Sequence, residues 1–172
     1  MSNFSVPRCS FVFISLALAS CGGGTYTNFG DVPAPPATPI RDNLIVAGQR
    51  IGPISLGMTA AQLLQAVGEP DKVSNYTAGA DHRMMQTLVF GSFEVHMPTL
   101  NPQRVTSIRT TDRSYATAQG LRVGSSTLSF SGALGPAGMI RAANDWCYAS
   151  GLEALFDNDG RATTVIVQTP GC

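Results

Sequence analysis

Apolar and polar residues alternate in short runs that predict two clusters of strands, each with a helical pattern ahead of it. Phe93-Glu94-Val95-His96-Met97 places Phe93, Val95 and Met97 on one face and Glu94 and His96 on the other. With 84–90 before it and 105–110 after it, this run makes a three-stranded meander, tightly turned at Gly91-Ser92 and more loosely at 99–103. A second meander is expected from 146–149, 152–156 and 163–168, turned at Ser150-Gly151 and at Asp157-Asn158-Asp159-Gly160, which reads as a type I′ hairpin turn. Leu152-Glu153-Ala154-Leu155-Phe156 aligns with the Phe93 strand, glutamate for glutamate. Half of each meander should therefore face water or a partner.

Helical spacing precedes both meanders. Thr59 and Gln62 form a capping box ahead of 60–67, where Leu63, Leu64 and Val67 share a face. Gly68 is expected to end that helix as a left-handed residue, and Pro70 prevents its resumption. Ser126 caps the second helix, 127–134, which carries Leu128, Phe130 and Leu134 and stops at Gly135-Pro136; Ser129, Ser131 and Gly132 make it the weaker of the two. Gly57 and Gly68 match Gly124 and Gly135 at one common offset. The predicted class is α+β: two tandem helix-plus-antiparallel-meander repeats, about 50–112 and about 115–172, able to join into one curved sheet with helices on one face.

The beginning of the chain follows another pattern. Arg8 precedes an apolar run over 11–19, too short for the roughly 20 apolar residues of a spanning helix, and polar, glycine-rich sequence follows at once. Residues 1–20 read as a signal peptide, 21–39 as a tether rich in glycine and proline, and 40–172 as one globular domain. Leu18-Ala19-Ser20-Cys21 resembles the lipobox of bacterial lipoproteins, the alternative being a plain secretory signal. The resemblance implies cleavage before Cys21, a diacylglyceryl thioether on its sulfur and an acylated amine, so that the first partner is a lipid bilayer. Gly22, where aspartate would signal retention at the inner membrane, favours the outer membrane, facing the periplasm.

Charge and cysteine content narrow the picture. Eleven basic residues balance eleven acidic ones, and removal of the leader takes away only Arg8, which leaves no basic face for nucleic acid. With Cys9 removed and Cys21 acylated, Cys147 and Cys172 are the remaining thiols, and in an oxidising compartment they should form a disulfide.

Catalytic patterns are sparse. Asp81-His82 could be an acid/base pair or half a metal site, with His96 across a hairpin, but zinc needs three convergent ligands and no third is evident. There is no Gly-x-Ser-x-Gly elbow and no glycine-rich phosphate loop, and Asp157–Gly160 lacks the spacing of a calcium loop. The sequence thus assigns no catalytic residue, metal or cofactor. Trp146 and Tyr148, two apart in a strand, are the candidate binding face; packing beside the disulfide is the competing reading.

The motif from Ile54-Ser55-Leu56-Gly57-Met58-Thr59 to Val67-Gly68-Glu69-Pro70 resembles the SmpA/OmlA-type lipoprotein of the outer-membrane β-barrel assembly machinery. The 152–167 hairpin is similar to that family's last two strands. Two such units in one chain look like the β-lactamase inhibitor protein architecture, in which tandem helix-plus-sheet units build a concave sheet. These resemblances imply a lipid-anchored, non-enzymatic module that holds an envelope protein partner. The alternative is an inhibitor or ligand-binding lipoprotein that uses a concave sheet.

Overall fold

Residues 42–80 and 82–171 are described by the computed structural model. In chain order the elements are β1 (Leu44–Val46), β2 (Arg50–Ile51), β3 (Ile54–Ser55), α1 (Ala60–Val67), β4 (Lys72–Ala78), β5 (Arg83–Phe90), β6 (Phe93–Pro98), β7 (Ser107–Thr110), β8 (Ala116–Thr117), α2 (Thr127–Leu134), β9 (Met139–Ala142), β10 (Asp145–Tyr148), β11 (Leu152–Phe156) and β12 (Ala162–Gln168). They form two sheets. The smaller has the order β3-β2-β1-β8, and the larger runs β4-β5-β6-β7-β12-β11-β10-β9. Every pairing in the large sheet is antiparallel, whereas β1 also pairs in parallel with β8.

This architecture corrects the expected fold class. The described chain is mostly β, with two helices of eight residues against twelve strands, and is not an α+β arrangement of helix-plus-meander repeats. Two features account for the difference. Residues around Ile45, Ile51 and Thr117, without strand-length alternation, pair into a sheet of their own. Lys72–Ala78 and Met139–Ala142 extend the large sheet at its two edges, and an edge strand exposed on both faces needs no apolar alternation. The signal peptide and tether expected over 1–39, Cys21 among them, lie outside the described residues.

Alternation sets the core. Leu88 and Phe90 of β5, Phe93, Val95 and Met97 of β6, Ile108 of β7, Val165 and Val167 of β12, and Leu152, Ala154 and Phe156 of β11 occupy one face of the large sheet and are buried. Ile45, Ile51 and Ile54 of the small sheet, Leu63 of α1 and Phe130 of α2 complete the same cluster. Phe130 meets Phe156 edge-on at a centroid distance of 5.4 Å and stacks near Tyr148 at 6.1 Å.

Both helices begin and end on local sequence chemistry. Thr59 Oγ1 accepts from the Gln62 amide and the Gln62 side chain accepts from the Thr59 amide, completing the capping box. Ser126 Oγ accepts from the Ser129 amide at 3.1 Å. Gly68 and Gly135 have φ of +86° and +80°, as expected, but ψ of −163° and −166°. Both are thus extended at positive φ rather than left-handed helical, in a region accessible essentially to glycine alone.

Candidate functional site: the polar face of the large sheet

The face opposite the core is set by strand register. One cross-strand row runs through all eight strands as Lys72, Val89, Glu94, Arg109, Ile166, Glu153, Cys147 and Met139. At about 4.8 Å per strand such a row is some 34 Å long. A second row on the same face joins Ser74, Thr87, His96, Ser107 and Gln168.

The half formed by β4–β7 is open. Glu94, its side chain 40% exposed, has Oε1 2.9 Å from His96 Nε2 and 3.7 Å from Arg109 Nη1. His96 Nδ1 lies 2.9 Å from the Tyr76 hydroxyl and 3.3 Å from Thr87 Oγ1, and the Tyr76 ring meets the imidazole edge-on. Burial and then the Arg109 charge hold the His96 pKa below its ordinary value, against the pull of Glu94. With the proton of the neutral imidazole on Nε2, toward Glu94, Nδ1 is the acceptor for a hydroxyl. Burial also raises the Tyr76 pKa, so the phenol remains a donor.

The half formed by β9–β12 is closed over the same row. Glu153 is only 5% exposed, and its Oε2 accepts from Gln168 Nε2 at 2.7 Å and Arg141 Nη1 at 2.9 Å. Burial and then the carboxylate of Asp145, diagonal to it in register, raise the Glu153 pKa; Arg141 opposes them. Gln168 Nε2 also approaches Cys147 Sγ at 3.4 Å, over a cysteine that is fully buried.

The residues singled out from sequence fall in several places. Tyr148 is 2% exposed and Trp146 packs on the same core, edge-on to Phe156 at 5.3 Å. The binding face expected from this pair is therefore corrected to packing, because strand alternation turns both toward the core under α2. Cys147 is a half-cystine, and Cys172 lies outside the described residues. Asp81 also lies outside them; His82 sits in the β4–β5 turn, away from His96 in mid-strand. No group of three or more metal-ligating side chains forms among the described residues. Arg109, Tyr76 and Arg141 escaped the sequence reading. Glu94 and His96, already placed on the polar face by alternation, were the signal that could have found Arg109 and Tyr76.

No protein-family model matches the chain. No curated protein matches it either. Among solved structures the chain is similar to a DUF4309 family protein, YjgB, from Bacillus subtilis, at 19% identity and a TM-score of 0.43, over 64% of this chain and 78% of that one.

Proposed function

We propose that the protein is a lipid-anchored, non-enzymatic module of the outer membrane, facing the periplasm, which holds an envelope protein partner on the open half of its polar sheet face. The observation that supports this reading is the exposed cluster of Glu94, Arg109 and Tyr76 around a largely buried His96, set on a sheet whose other face is core. Rigid strands fix these groups in register, so charge complementarity can select a partner without a loop having to order. The lipobox-like Leu18–Cys21 and the Ile54–Pro70 resemblance supply the membrane and envelope parts of the reading. The disulfide between Cys147 and Cys172 belongs to the same proposal and would tie the C-terminus to β10.

A photo-crosslinking amino acid placed at Ser74, Ser107, Asn75 or Leu128 in living cells tests the binding face. Ser74 and Ser107 lie on the polar face, Asn75 points to the other side of β4, and Leu128 is an 82% exposed position on α2. A discrete adduct from Ser74 and Ser107 alone is expected; adducts from all four positions, or from none, contradict the reading. For the anchor, Cys21→Ala should move the protein from the detergent phase to the aqueous phase, and unchanged partitioning contradicts lipidation.

A further inference from the structure

We propose that a cavity at the start of α2, distinct from the sheet face, binds a phosphate ester that carries a neighbouring hydroxyl. The cavity is about 480 Å³ and is lined by Thr111, Arg113, Gly124, Asp157, Arg161 and Thr163, among others. That volume falls within the roughly 300–1,000 Å³ of small-molecule pockets and exceeds what a bare ion needs.

The two helix starts show which of these groups the fold itself requires. Before α1, Arg104 Nη1 donates to the Gly57 carbonyl at 2.9 Å, and Arg104 bridges to the cap residue Thr59. Before α2, Arg161 Nη1 donates to the Gly124 carbonyl at 3.3 Å and bridges to the cap residue Ser126. Both glycines have positive φ, +78° and +92°. One arginine therefore suffices to tie each glycine carbonyl. The second start has an additional one: Arg113 lies over Gly124, where a Cβ would be 3.7 Å from its Nε, while a Cβ at Gly57 would meet nothing within 4 Å. The Arg113 guanidinium makes no hydrogen bond or ion pair among the described residues.

Arg113, a guanidinium without such a task, lines the cavity together with Arg161 and Thr111, and two guanidiniums with a hydroxyl supply the donors that a phosphate takes. Asp157 faces them. Its Oδ1 accepts from the amides of Asp159 at 3.0 Å and Arg161 at 2.8 Å, which leaves Oδ2 to accept from a hydroxyl on the ligand. Only Gly160 has positive φ in that turn, so it is a type I turn closed by a glycine bulge rather than the expected type I′ turn, and Arg161, the residue after that glycine, lines the cavity. A phosphoglycerol lipid headgroup and a soluble polyol phosphate share this chemistry.

Titration of the full chain with glycerol 3-phosphate, read by amide chemical shifts, tests the site. Saturable shifts at Thr111, Gly124 and Arg161 are expected, with a Kd on the order of 1 mM. Arg113→Gln should abolish them at an unchanged Tm, and Arg104→Gln should leave them intact. Absence of shifts at these amides, identical shifts in Arg113→Gln, or binding of inorganic phosphate as tight as that of glycerol 3-phosphate overturns the proposal. Repeating the titration with phosphatidylcholine vesicles, with and without phosphatidylglycerol, identifies the source of the ligand. Competition by the phosphatidylglycerol vesicles alone assigns the site to the headgroup, and no competition assigns it to the soluble ester.

Discussion

Glu94 and Glu153 stand in one cross-strand row with only Arg109 and Ile166 between them, yet their surroundings are opposite. Glu94 is open to solvent and shared between His96 and Arg109; Glu153 is sealed under Gln168 and Arg141. The turns that lead into their strands differ in the same sense. A Cβ at Gly91, before β6, would meet nothing within 4 Å, whereas one at Gly151, before β11, would collide with the Gln168 carbonyl and come within 2.9 Å of Gly48 Cα. The same residue at matching positions thus belongs to a recognition surface in one half and to the folded interior in the other. What decides is the cover supplied by neighbouring strands.

The largest expected contrast lies at these turns. Both glycines have positive φ, +58° and +81°, so alanine costs about 1 kcal/mol of backbone strain at either. Gly151→Ala adds the collision and should lose about 3 kcal/mol or more in total. Urea denaturation of the two variants measures the difference, and equal losses would show that the closed half is no tighter than the open one.

Next come the glutamates themselves. Glu153→Ala removes the acceptor of two donors from a buried position and should cost about 2–3 kcal/mol. Glu94→Ala, at an exposed ion pair, should cost under about 1 kcal/mol. A smaller contrast appears with pH. The folded-state pKa of His96 is lowered, so the unfolded chain takes up its proton first and stability falls as pH drops below about 6.5 toward the folded value. That of Glu153 is raised, so the folded chain keeps its proton longer and stability falls as pH rises from about 4.5 through the folded value. His96→Asn should flatten the acid limb, and Glu153→Gln the limb above pH 4.5. Denaturation midpoints across pH 4–8 check both slopes, and a change of either slope in the wrong variant would refute the assignment.

Local chemistry made much of this legible. Thr59 with Gln62, Ser126, and the glycines at 68 and 135 marked both helices to the residue, since caps act through neighbours in sequence. Alternation through Phe93–Met97 separated the core face from the polar face. The edge strands β4 and β9 were missed because residues exposed on both sides carry no periodicity, and the small sheet was missed because its strands of two or three residues are too short to show one. Trp146 and Tyr148 were read correctly as sharing a face, but periodicity alone does not reveal which face the helix covers. The cavity at α2 was invisible for a further reason: Arg113 and Arg161 come to line it only through tertiary structure.

The most direct test of the open half as the binding surface is the photo-adduct from Ser107 in Arg109→Glu and in Glu153→Gln, with the fold of each variant verified by its Tm. Reversal of charge beside Glu94 and His96 should abolish the adduct, while neutralisation of the sealed glutamate should leave its yield unchanged. An adduct that persists in Arg109→Glu, or is lost equally in Glu153→Gln, would contradict the assignment of the partner to this surface.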